Sequence, residues 1–356
     1  MPAVLNTNMA SLYAQKSLST AQADLADSVQ KLSSGKRINS AKDDAAGYAV
    51  AEAVKATKNV TDQSIQNTQD AISMVQTAEG ALDVVSKMLQ RVLTLVTEKD
   101  NGSLTNAQTS SINSEIKTLL DEVSSIKSRT KFQGGGSSLF GSGDKSFATG
   151  DATTTTVNIA DLTLSSLFAN SAAGSSATFA TSAGVVAGAI TTTAAHGFST
   201  GDQLIYKSIV AANEPVNMDA NSIYYAVVVD ATHIKLATSY DNAMAASPVT
   251  ITPVATTGTS ETDTLYKVNS SSLMAAVQTN IANRADLGAV QNRLNYIVDN
   301  MQTLSNNLAD AQSRIVDTNY AAETANLTRG QILQQAATSM LAQANQMPNV
   351  ILTLLK

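Results

Sequence analysis

The sequence predicts a mainly α protein carrying a β-rich insertion, with its N- and C-terminal segments joined in a long antiparallel, coiled-coil helical stalk. Three observations carry that expectation. Apolar residues at both ends recur with helical spacing over tens of residues; the middle third shifts to Gly, Ser, Thr and Ala; and aromatics make up only 4% of the 356 residues, with no Trp. Ala, Leu, Val and Ile must therefore do the packing, which suits slender helices side by side better than an aromatic-lined enzyme pocket.

In the first helix Leu18, Leu25 and Leu32 step by seven, with Leu5 and Leu12 offset from them by one residue, and Gly35 is a helix stop. Ser40, with Asp43 and Asp44, supplies an N-cap and first-turn carboxylates for a second helix over 43–99. That helix would be about 85 Å long. Val75, Leu82, Leu89 and Val96 repeat every seven residues along it, with Ala78, Val85 and Val92 in the complementary position. Asn101-Gly102 turns the chain into a third helix bearing Ile112, Ile116, Leu119, Val123 and Ile126.

At the other end Leu287, Val290, Leu294, Ile297, Met301, Leu304, Leu308, Ala311 and Ile315 alternate three and four, a coiled-coil seam. A looser pattern runs on through Leu327, Leu333 and Leu341, and Pro348 is expected to end it. Narrow apolar stripes on long helices are stable only against a partner, so the two ends are expected to pair. Between 134 and 266 lie short β-like runs, at 156–159, 203–206, 224–229 and 233–236. Turn residues separate them: His196-Gly197, Thr200-Gly201-Asp202 and Asp230-Ala231.

Several functions are excluded or disfavoured. A net charge of −6 and a pI near 5.0 argue against nucleic acid. With no Cys there is no disulfide, thiolate metal site or Cys nucleophile. His196 and His233 are too isolated for a metal cluster, and Asp43-Asp44 point in different directions on a helix, so a helix-dipole role outweighs acid–base chemistry. Residues 134–136 (Gly-Gly-Gly) form a flexible connection, not a phosphate cradle, because no strand precedes them and no GxxxxGK[ST] follows. There is no G-x-S-x-G elbow. The Thr runs at 153–156 and 191–193 read either as polar strand edges or as O-glycosylation acceptors. No cofactor is expected. No apolar window is long enough to span a membrane, and Met1-Pro2-Ala3-Val4-Leu5-Asn6 has no signal-peptide pattern. The expectation is a cytoplasmic protein, or one exported by a route that needs no cleaved signal.

The run from Leu32-Ser33-Ser34-Gly35-Lys36-Arg37-Ile38-Asn39-Ser40 to Ala41-Lys42-Asp43-Asp44-Ala45-Ala46-Gly47 closely resembles the N-terminal signature of bacterial flagellins, as does Asn6-Thr7-Asn8. Leu287-Gly288-Ala289-Val290-Gln291-Asn292-Arg293-Leu294, Ser313-Arg314-Ile315, Gln331-Ile332-Leu333-Gln334-Gln335-Ala336 and Leu341-Ala342-Gln343-Ala344-Asn345-Gln346 resemble the C-terminal blocks. A weaker likeness through Lys131-Phe132-Gln133-Gly134 and from Phe147 to Leu167 marks where the family carries a β-hairpin. The resemblance implies three regions: a terminal coiled-coil domain of 1–40 and 317–356 forming the filament core, a helical stalk of 41–170 and 266–316 with that hairpin, and a surface-exposed variable β-rich domain of 171–265. Within the last, 195–202 and 224–237 resemble a β-module met in phage tail and bacterial surface proteins.

The implied function is a structural subunit that polymerises into the flagellar filament for swimming, without catalysis. Leu5, Leu12, Leu18, Leu25, Leu32, Leu327, Leu333, Leu341, Leu352 and Leu355 are the expected self-assembly residues. Each is worth roughly 1.5–3 kcal/mol if fully buried, and head-to-tail contacts that do not close build a helical filament. The terminal segments are expected to order on polymerisation. Implied partners are other subunits, an export chaperone on the C-terminal helix, and the hook–filament junction and cap proteins. The flagellin-sensing Toll-like receptor would contact Arg91, Leu95 and Glu115, although Leu93-Thr94 stand where activating members carry Arg-Glu. The implied location is the extracellular flagellum, reached by the flagellar type III route. A junction or cap protein would share the helical ends but only loosely the 34–47 and 331–346 runs. An enzyme inserted in the variable domain would need H-E-x-x-H, and neither His precedes a Glu.

Overall fold

The computed structural model describes residues 8–132, 138–141, 143–150, 153–169, 176–180, 185–186, 188–208, 215, 217–253 and 262–354, with C-terminal side chains as far as residue 346. Leu5, Leu355 and the 134–136 connection lie outside the described residues. The chain divides into two compact units, residues 1–65 with 299–356, and residues 66–298.

In the first unit α1 (Met9–Ser34) runs antiparallel to α7 (Tyr320–Leu354). Asn8 caps α1, its Oδ1 accepting the Ser11 N–H at 3.1 Å, and Gly35 ends it in a left-handed turn at φ 71°. Leu18, Leu25 and Leu32 form half of the α1 seam and are half-buried. The other half is Ser11, Ala14, Ala21 and Ser28, all buried. Across from them Gly330, Ala337 and Ala344 are buried and Leu327, Gln334 and Leu341 half-buried, again at three–four spacing. Small residues let the helices approach closely: a Cβ on Gly330 would lie 3.4 Å from Leu25 Cδ1 and 3.7 Å from its Cα.

At the far end of this pair the link between α1 and α2 (Ala45–Lys99) is tied to the junction of α6 (Ser270–Val316) with α7. Arg37 N–H donates to the Val316 carbonyl at 2.6 Å, its Nη2 to the Ile315 carbonyl at 2.7 Å, and Thr318 N–H to the Gly35 carbonyl at 3.0 Å. The helix expected from residue 43 begins at Ala45, because the two acids do other work. Asp43 accepts the Asn39 and Ser40 N–H groups, which holds its carboxyl below the usual range, and Asp44 Oδ1 accepts the Gly47 N–H at 2.9 Å as the actual cap. The α6 seam also departs from expectation here. Leu304 is exposed and Ser305 faces inward, where its Oγ donates to Asp62 Oδ1 at 2.6 Å. Nor does Pro348 end α7, which continues to Leu354.

The second unit is built on α2, where Val75, Ala78, Leu82, Val85, Leu89, Val92 and Val96 are all enclosed. Ile116, Leu120 and Val123 of α3 (Asn106–Arg129), started by a Thr105/Gln108 capping box, and Leu273, Leu287 and Leu294 of α6 complete the layer. A hairpin of β1 (Lys145–Gly150) and β2 (Thr153–Val157) lies where one was expected, and Val157, Ile159 and Leu162 join the same core. So do Leu164 and Leu167 of the short α4 (Leu164–Leu167).

Next comes an antiparallel sheet of β3 (Ser176–Ala180), β4 (Val185–Val186), β5 (Ala189–Thr191), β6 (Gln203–Lys207), β7 (Ile223–Val228), β8 (His233–Ala237) and β9 (Thr262–Lys267), in the order β3-β9-β6-β7-β8-β5-β4. A Phe179–Thr192 bridge and a 2.9 Å bond from Thr193 N–H to the Thr178 carbonyl bring the end of β5 back to β3, so the sheet closes into a small barrel. Alternation assigns its faces. Phe179, Leu204, Tyr206, Tyr224, Ala226, Ile234, Leu236 and Leu265 fill the interior, while Ile205, Ile223 and Tyr266 face outward into the helical core. Gln203 Nε2 adds a polar tie, donating to the Asn113 carbonyl of α3 at 2.8 Å. α5 (Tyr240–Met244) covers Tyr225 from outside.

Candidate assembly surface

The α1/α7 pair buries one narrow seam and leaves several large apolar side chains exposed beside it. Among the expected assembly residues, Leu18, Leu25, Leu32, Leu327 and Leu341 sit half-buried along the seam. Leu12 and Leu333 turn outward, 51% and 50% exposed. Leu352 lies in the helical backbone of α7, and its side chain is outside the description.

Sequence reasoning missed other large exposed groups on this pair. Tyr13 is 66% exposed and Met340 56%, and Val29 and Ile332 also face solvent. Tyr13 and Met340 line a groove of about 430 Å³ with Ala10, Ala14, Ser17, Gln343 and Ala344. Ala14 and Ala344 belong to the seam, and the others occupy positions beside it on one flank of the two helices. The signal that finds them is the complete three–four seam, small residues included. Once Ser11, Ala14, Ala21 and Ser28 are recognised as inward, Tyr13 must lie outside it. Large apolar groups on a water-facing flank mark a surface meant to be covered.

The three residues singled out for receptor contact part company. Arg91 Nε and Nη2 both donate to Glu115 Oε1, at 3.1 and 2.9 Å, joining α2 to α3 at the surface. Leu95 is 2% exposed and packs in the helical core.

The histidines are structural. His196 is buried, its Nδ1 accepts the Phe198 N–H at 3.0 Å, its Nε2 donates to the Asp230 carbonyl at 2.8 Å, and its ring stacks on Phe198. His233 opens β8 with Nδ1 2.8 Å from the Asp230 carboxylate. That carboxylate also accepts the Thr232 and His233 N–H groups, and these bonds hold its pKa far below the ordinary carboxylate value. Among the described residues no group of three or more His, Asp or Glu is placed to hold a metal, and no helix is long and apolar enough to cross a membrane.

Residues 5–141 match the bacterial flagellin N-terminal helical region and residues 272–355 the bacterial flagellin C-terminal helical region. Polar flagellin F of Vibrio parahaemolyticus is 32% identical over 387 residues, covering 100% of both chains. Flagellin 1 of Proteus mirabilis is 35% identical over 397 residues, again with 100% of each covered. Among solved structures, FliC from Burkholderia pseudomallei aligns with 74% of this chain and 99% of its own at 18% identity, with a TM-score of 0.24. With both terminal regions matched in order and full-length relatives above 30% identity, this chain belongs to the bacterial flagellins.

Proposed function

We propose that this flagellin polymerises through the apolar flanks of its α1/α7 pair, with Tyr13, Met340, Leu12 and Leu333 covered by neighbouring subunits. The chain is a structural subunit of the flagellar filament and serves motility. The observation that carries the finer reading is the exposure of Tyr13 and Met340 beside a seam already filled by small residues. Residues 1–40 and 317–356 would then form the filament core, 41–170 and 266–316 the stalk, and 171–265 the outward domain.

The same flank on α7 suits an export chaperone that keeps the subunit from polymerising before it leaves by the flagellar type III route. The filament ends would present it to the junction and cap proteins. Receptor sensing would rest on Arg91 and Glu115, which are accessible, whereas Leu95 is buried. A reporter-cell assay on monomeric protein tests that part.

For assembly, a Tyr13→Ser/Met340→Ser variant should raise the critical concentration for seeded elongation by at least about tenfold, given the transfer energy of two such side chains. Unchanged elongation would remove the flank from the mechanism.

A further inference from the structure

We propose that Asn8 and Pro348 act together to fix the axial register of α1 against α7. Pro348 lies within α7 and has no backbone N–H, so the carbonyl of Ala344, four residues earlier, has no helical donor. Ala344 is buried, and an unpaired carbonyl there is costly. Asn8 Nδ2 donates to that carbonyl at 2.7 Å, while Oδ1 of the same carboxamide caps α1 through the Ser11 N–H. Beside it Ser11 Oγ donates to Asn345 Oδ1 at 3.0 Å. One side chain therefore starts one helix and repairs the other. Asp or Ser could do only the first, because neither offers an amide donor.

The apolar seam gives a reason for such a clamp. Antiparallel spacing carried along from the Leu25/Gly330 contact puts Leu18 opposite Ala337 and Ala14 opposite Leu341, a large residue against a small one. Sliding α7 by seven residues, about 10 Å, again sets large against small, so packing discriminates weakly between the two registers. The Asn8–Ala344 bond exists in one of them only.

The chain has no Cys, which makes cross-linking clean. Ser11→Cys paired with Asn345→Cys reports the observed register, and Ser11→Cys paired with Thr338→Cys the register shifted by seven. Filaments of the full chain are treated with a short thiol cross-linker, dissolved, and the intrachain bridge is measured for each pair. In the native background the first pair should dominate. Asn8→Ser should lower the ratio of the two by about tenfold, the effect of stranding one buried acceptor. With Pro348→Ala, which returns an N–H to the Ala344 carbonyl, Asn8→Ser should change the ratio less than about twofold. Equal losses in both backgrounds overturn the proposal. If Asn8→Ser subunits do not polymerise, the Asn8→Ser/Pro348→Ala chain decides: recovered filaments support the clamp, and continued failure refutes it. The Tyr13 and Met340 test of the flank is independent, since neither residue takes part in these bonds.

Discussion

Two seams in this molecule share three–four spacing and differ in what fills them. Along α2, from Val75 to Val96, every seam position is a branched aliphatic or Ala enclosed by α3, α6 and the segment after β2. Along α1 the enclosed positions are Ser and Ala, and the three leucines stay half-open to water. A pair of helices can bury only the stripe between them, whereas several layers bury a helix from several sides. The second unit therefore completes its own core, and the first leaves its seam leucines half-open to water, as the proposed contact with other copies requires.

The largest effect that sharpens this contrast is expected from Leu89→Ala. Leu89 is fully enclosed, so the isolated subunit should lose about 2–5 kcal/mol in denaturant unfolding. Leu18→Ala should leave that transition nearly unchanged and lower the melting temperature of filaments instead. If Leu18→Ala destabilises the isolated subunit as much as Leu89→Ala does, the two seams are not different in kind.

A smaller effect follows from close approach. A Cβ at Gly330 meets Leu25 at ordinary contact distance, so Gly330→Ala should be tolerated, with up to about 1 kcal/mol of helix propensity gained. Gly330→Val adds branches with no room beside Leu25, and filaments should melt at lower temperature. Equal stability for Ala and Val there would mean the helices are not closely apposed.

The smallest concerns acid, and it belongs to the barrel. Asp230 has a folded pKa lowered from its ordinary value of 3.8 by bonds from Thr232 and His233. A carboxyl shifted down contributes stability above its unfolded pKa and loses it as pH falls through the folded one. Below about pH 4 the native subunit should therefore lose stability progressively, and Asp230→Asn should flatten that slope while leaving the filament core unaffected. Unfolding curves from neutral to acid pH, with identical slopes for the two chains, would count against it.

How much was legible follows from how strong each local signal is. The α2 heptads and the strands at 203–206, 224–229 and 233–236 are readable because large apolar residues mark their inward faces, whereas the hairpin is expected only from the family resemblance. The seam of α1 was half-readable: its leucines show in the sequence, but Ser11, Ala14, Ala21 and Ser28 carry no hydropathy signal, so the outward direction of Tyr13 and Met340 went unseen. Leu304 reads as a seam residue because it is apolar, yet Ser305 faces inward in its place and bonds Asp62. Pro348 reads as a stop because its nitrogen cannot continue the backbone ladder, and the donor to the Ala344 carbonyl, Asn8, lies 336 residues from Ala344 in sequence.

By itself the sequence determined that this chain has helical ends and a β-rich middle, because periodicity and composition are local properties. The tertiary structure alone decided the closure of the barrel through Phe179 and Thr192, the pairing of Arg91 on α2 with Glu115 on α3, and the partner of the Ala344 carbonyl. Each of these joins groups far apart in the chain. Their geometry is set by which surfaces meet, and no local pattern encodes that.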